Sequence, residues 1–219
     1  IQVQSNGGLI MAIISNAVEI IDAGAFSANL GSMTLIKTIN ATSFVDDIAF
    51  VHGSSDVVLN NTYPVYLFKF INIIANSNSS SFFNFKASID SGSNYNVVIT
   101  SSMLRAEHNE GDGGEELVSQ GSGILAQSAN PQAIGNDQGS DSDQSASGEM
   151  YLFNPGGTTY TKSFLTDFNS SHPSDKSTRG MVSGYINTTS AVNAIRFEIQ
   201  QDQDNQLKGT IKLYGIKDS

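Results

Sequence analysis

Three stretches of the chain hold residue types that could do chemistry. In "HGSSD", His52, Ser54, Ser55 and Asp56 supply the base, hydroxyls and carboxylate of a hydrolase within five residues. Such triads are assembled in space from separate elements, and no nucleophile-elbow pattern surrounds these serines. The stretch therefore reads as a turn following a strand. Asp46 and Asp47 offer the two carboxylates of a glycosidase. Neighbours on a strand point to opposite faces, so the two cannot flank one bond. "NDQGSDSDQ" spaces hard oxygen ligands at alternate positions, as calcium prefers, but no Gly stands sixth from Asp137 or Asp141 and no Glu stands twelfth. "GDGG" is not followed by a helix pattern that would make an anion site. The expectation is no catalytic residue, no metal and no cofactor.

The elements that would carry these residues alternate with a period of two. "SFFNFKASID" sets Phe83, Phe85, Ala87 and Ile89 against Asn84, Lys86 and Ser88, and "VNAIRFEIQQ" sets Ile195, Phe197 and Ile199 against Arg196 and Glu198. "LKGTIKLYGI" points Leu207, Ile211 and Leu213 one way and Lys208, Thr210, Lys212 and Tyr214 the other. "PVYLFKFINIIA" is apolar on both faces apart from Lys69 and Asn72, which predicts a central strand covered on both sides. Further strands are expected at 9–14, 18–21, 33–39, 44–51, 95–100, 150–153, 160–168 and 180–186. Turn signals such as "NSNSSS", "SGSN", "NPGGTT" and "HPSDKS" separate them. No helical stripe occurs. About ten short strands in a single domain of 219 residues predict an all-β, antiparallel two-sheet sandwich of the jelly-roll type.

Composition narrows the function classes. The absence of cysteine removes disulfide frameworks, thiolate metal sites and thiol nucleophiles together. A net charge of −10 argues against a binder of phosphate backbones, so no nucleic-acid partner is expected. The longest apolar-rich run, 64–75, is interrupted by Lys69 and Asn72, so no membrane span is expected either. The early "GGLIMAIISNAVEII" lacks a basic leader and reads as strand.

The charge is concentrated. From 106 to 161 there is no Lys or Arg, while nine acidic residues fall there. Residues 107–149 form a polar, acidic excursion from the strand rhythm, read as a loop whose ordering comes either from packing of its own "GILA" and "AI" or from a neighbouring subunit. On the second reading Glu110, Asp112, Glu115, Glu116, Asp137, Asp141 and Asp143 are subunit-contact residues facing a basic partner surface, for which Arg179, Arg196, Lys208 and Lys212 are available. Removal of 111–147 is then expected to leave the sandwich folded.

Three segments carry a resemblance: "VYLFKFINIIANSNSSSFFNFKASIDSGSNY", "GEMYLFNPGGTTYTKSF" and "VNAIRFEIQQDQDNQLKGTIKLYGI". Together, across 65–216, they resemble a family of tailed-phage virion proteins, with the "GTIKLYGI" ending as the most specific part; the glycine turn and the acidic stretch depart from the pattern. The resemblance implies a non-enzymatic structural protein on the particle surface: a capsid decoration, head fibre or tail-fibre component. It implies a homotrimer that also contacts other virion proteins. The competing expectation is a carbohydrate-binding or receptor-binding module for host-surface glycan, with Tyr63, Tyr160 or Tyr214 as stacking platforms.

Overall fold

In a computed structural model of the chain, the described residues are 33–76, 82–135, 138–199 and 205–217, together with the backbone of four short strands before them. Those four, β1 (Gln2–Ser5), β2 (Met11–Ser15), β3 (Val18–Asp22) and β4 (Ala25–Phe26), pair antiparallel in sequence order.

The remaining strands are β5 (Met33–Val45), β6 (Asp47–Val51), β7 (Val65–Ala75), β8 (Phe83–Ser88), β9 (Ile99–Asn109) and β10 (Glu116–Ser119), then β11 (Gln132–Gly135), β12 (Ala146–Phe153), β13 (Lys162–His172), β14 (Lys176–Ile186), β15 (Ala194–Ile199) and β16 (Leu207–Ile216). They form an eight-stranded sheet in the order β10-β9-β14-β13-β12-β7-β16-β5 and a four-stranded sheet in the order β11-β8-β15-β6. Every pairing is antiparallel. Setting aside β9, β10, β13 and β14 leaves eight strands in two sheets. Numbered along the chain, these run first-eighth-third-sixth in one sheet and second-seventh-fourth-fifth in the other. That order is the double Greek key of a jelly roll. The four other strands widen one of its sheets beyond the roll.

The topology explains the apolar final strand. β16 lies between β5 and β7, joining the first and third strands of the roll, so it is interior to its sheet rather than at an edge. Leu207, Ile211 and Leu213 are all fully buried. Gly209 sits at a bulge with φ 139°, and a Cβ there would fall 2.5 Å from the Asn72 carbonyl oxygen, so only glycine fits.

The two sheets meet through phenylalanine. Phe70 of the large sheet packs edge-to-face on Phe83 and Phe197 of the small one, each at 5.1 Å, and Phe164 meets Phe85 at 4.9 Å. Phe83 and Phe168 stack at 5.3 Å. All are fully buried, and each such pair contributes about 0.5–1.5 kcal/mol beyond area burial. The corner between β5 and β6 falls at Asp46, where the chain leaves one sheet for the other. A single strand over 44–51 is therefore corrected to two, as expected where a strand turns a sandwich corner.

Other expectations need revision. β7 is central in its sheet but fully covered on one face only: Tyr66, Phe68, Phe70 and Ile73 are buried inward, while on the other face Leu67 is buried and Ile71 is 38% exposed. The strand expected at 95–100 begins at Ile99 and continues to Asn109. Its second half carries Arg105 and Glu107 on the inward side, beyond the small sheet, so its apolar alternation fades although its pairing does not. The stretch 107–149 is not one loop, because it contains β10, β11 and the start of β12. Gln132, Ala133 and Ile134 are buried, and β11 forms the edge of the small sheet.

Candidate functional site

The outward face of the eight-stranded sheet presents side chains at fixed register. One row crosses five strands as Leu35, Tyr214, Leu67, Tyr151 and Leu165. Beside it run Met33, Ile216, Val65 and Phe153, with Tyr185 further along on β14. Met33 is 47% exposed, Leu35 51% and Leu165 49%. Leu67 is buried although it lies on this outer face, covered by the flanking tyrosines Tyr151 and Tyr214 on either side. Among the described residues, seven of the eleven exposed large apolar side chains lie on this face: Met33, Leu35, Ile71, Leu104, Leu117, Leu165 and Tyr185. The two adjacent rows are continuous from β5 to β12, while Ile71, Leu104 and Leu117 stand apart from them; a concentration of exposed apolar side chains on one face marks an interaction surface.

The next row is charged. It runs Lys212, Lys69, Glu149 and Asp167 across β16, β7, β12 and β13. Lys69 lies 3.6 Å from Glu149, and Arg179 forms an ion pair with Asp167. The Arg179 guanidinium, donating to both Asp167 oxygens, holds that carboxyl below its usual range.

The acidic residues singled out from the sequence do not form one surface. Glu116 is held by Arg105 at 2.9 Å, and Glu107, nearly buried, lies 3.4 Å from Arg105 and 3.5 Å from Lys176. These acids therefore have bases within the chain, which the sequence reading did not foresee. Glu110, Asp112 and Glu115 lie exposed around the turn after β9, and Asp141 and Asp143 are exposed in a separate turn. Asp137 lies outside the described residues. Of the bases named as partners for them, Arg179 is engaged with Asp167, Arg196 with the buried Glu198 at 2.7 Å, and Lys208 with the Phe44 ring at 4.8 Å.

The turn after β9 brings together a group that sequence spacing missed. His108 Nε2 stands 3.8 Å from Asp112 and 3.7 Å from Glu115. One imidazole and two carboxylates are donors a divalent ion accepts, but all three are exposed. The "GDGG" glycines serve the turn itself: Gly113 and Gly114 have φ of 138° and 68°, and β10 follows.

Of the stretches weighed for catalysis, "HGSSD" is a turn, while Asp46 sits at a sheet corner and Asp47 begins β6. His52 Nδ1 accepts the Leu59 N–H at 3.3 Å, the Val57 N–H donates to the Ser54 carbonyl at 3.0 Å, and Lys37 donates to the Ser55 carbonyl at 2.8 Å. Asp46, at the sheet corner, accepts from Gln206 at 2.8 Å, and both Asp46 and Asp47 are exposed. In "NDQGSDSDQ", Gln144 closes the turn, accepting from the Asp141 N–H at 3.2 Å and donating to the His172 carbonyl at 3.4 Å. Two described clefts, of about 200 and 170 Å³, are smaller than the roughly 300–1,000 Å³ of small-molecule sites.

Of the tyrosines considered for sugar stacking, Tyr160 is 75% exposed. Tyr63 packs edge-to-face on Tyr66 at 5.7 Å, and Tyr214 lies between Leu35 and Leu67 in the apolar row. Comparison with known proteins returns no matching family model, no matching curated protein and no matching solved structure.

Proposed function

We propose that the chain is a non-enzymatic structural protein of a tailed-phage virion, carried on the particle surface and acting by assembly with copies of itself and with other virion proteins. The observation that carries the assembly part is the concentration of exposed apolar side chains on one face of the widened sheet. A strand-built face this broad buries well against another protein and poorly against a small molecule. The virion part rests on the resemblance of 65–216. The jelly roll, a fold that hosts capsid and lectin domains among others, is compatible with it by analogy of fold alone. A homotrimer is the subunit number that the resemblance implies. Purified particles analysed by mass spectrometry test the reading: the chain should be present at fixed stoichiometry, and its absence from washed particles defeats it.

A second reading, a glycan-binding module, is favoured by the exposed Tyr160 ring and by the stacked pair Tyr151–Phe153 with centroids 6.4 Å apart on the sheet face. Glycan-array binding that is lost in Tyr160→Ala would support it over assembly.

A further inference from the structure

We infer that the outward face of the eight-stranded sheet pairs with the same face of a second copy of this chain, about a two-fold axis that lies in the interface and runs parallel to the strands between β7 and β12. The inference rests on the assembly reading for its surface, and it adds the partner and the geometry.

The argument comes from the order of residues along each row. A two-fold axis in that direction keeps each row over itself and reverses its strand order. The charged row reads Lys212, Lys69, Glu149, Asp167, so reversal places Lys69 over Glu149 of the second copy and Lys212 over its Asp167. Each lysine meets a carboxylate, and the pairs already made within a chain, Lys69–Glu149 and Arg179–Asp167, join across the interface into one network, which is the self-complementarity an isologous interface requires. The neighbouring row then sets Leu67 over Tyr151 and Tyr214 over Leu165, and the next sets Val65 over Phe153. Apolar meets apolar in these pairs, while Leu35 at the end of its row lies over Ser183. Sheets packed face to face at about 10 Å with a modest twist between them accommodate side chains of this size. A two-fold axis in the interface that ran along the charged row, perpendicular to the strands, would instead set each charge over its own copy. The row order therefore favours the axis parallel to the strands.

Pairing through this face is compatible with a trimer built on other surfaces, since three outward faces would then pair with three more. Both cases give an even number of chains. Multi-angle light scattering on the full chain should give a mass of two or six times 23.3 kDa at micromolar concentration. Leu35→Arg with Leu165→Arg should halve the assembly while circular dichroism and cooperative melting stay unchanged, because both side chains are about half exposed. Lys212→Glu alone should weaken pairing, as should Asp167→Lys alone, and mixing the two chains should restore it as a mixed pair. A mass of one or three chains overturns the inference, as does pairing that survives both arginines, or charge variants that do not rescue each other. A wild-type monomer that still decorates purified particles would defeat the pairing and leave the assembly reading standing.

Discussion

Asp90, in the turn "DSGSNY", is exposed yet saturated with donors. Its carboxylate accepts the Ser88 hydroxyl at 2.6 Å, the Asn94 N–H at 2.9 Å and the Asn94 side-chain amide at 2.7 Å. These bonds, with that from Ser88 the largest cause, lower its pKa from 3.8 to about 2. A depressed carboxyl stabilises the fold above the unfolded value of 3.8 and loses that contribution as pH falls through about 2. Carboxyl titration followed by NMR should give a midpoint near 2 for Asp90, and Ser88→Ala should move it back toward 3.8. An ordinary midpoint in the unaltered protein would contradict the turn geometry. Lys162 is a second residue-scale feature, 1% exposed, with its ammonium donating to the carbonyls of Tyr160, Thr188 and Thr189. Burial pushes its pKa down. Lys162→Ala strands those carbonyls, so chemical denaturation should show a loss of about 1–3 kcal/mol. No loss would mean that water replaces the ammonium.

Among the elements, most strands could be read from period-two alternation, because one face of each meets the phenylalanine core. Residues 83–88, 194–199 and 207–216 are strands with their apolar side chains buried as their patterns predict, but Asn84, Ser88 and Glu198, expected on the open face, are buried too. Legibility failed where the inward face is not apolar. β9 and β14 run past the small sheet, where Glu107 meets Arg105, Lys176 and Thr178, and no hydrophobic alternation records that pairing. It failed again at β7, whose two apolar faces suggested cover on both sides. An apolar outer row on a strand has the same pattern whether a layer or a partner covers it, and only the topology distinguishes them. Two predictions belong here. Truncation after Asn205 removes three fully buried side chains worth roughly 1.5–3 kcal/mol each, against a total stability of about 5–15 kcal/mol, and it separates β5 from β7. The product should be insoluble or lack a cooperative melt; a melt near that of the intact chain would contradict the jelly-roll order. Deleting 111–147 should also unfold the sandwich, contrary to the sequence expectation, because it removes β11 and Ile134 from the core. Ile134→Ala alone should cost about 2–5 kcal/mol by denaturant titration. A value near zero would return that stretch to the status of a loop.

At the scale of the molecule, four strands added to a jelly roll turn one of its sheets into a broad platform backed by the roll's core. The acidic residues that drew attention in the sequence are largely scattered over turns or neutralised by Arg105, Lys176 and Lys69. The surface with a coherent pattern is the platform. Its composition was in the sequence, but the alignment of Lys212, Lys69, Glu149 and Asp167 depends on register across four strands that are distant along the chain. The absence of cysteine allows a direct test, since Leu165→Cys creates a unique thiol on the platform and Ser122→Cys one at an exposed position of the 3-10 helix Gly121–Gly123, outside the platform strands. The decisive measurement is the rate of maleimide labelling of each thiol in the assembled protein and in the chain whose pairing is weakened by Lys212→Glu. The account predicts that assembly slows labelling at position 165 strongly and leaves position 122 unchanged; equal labelling of position 165 in both states would contradict it.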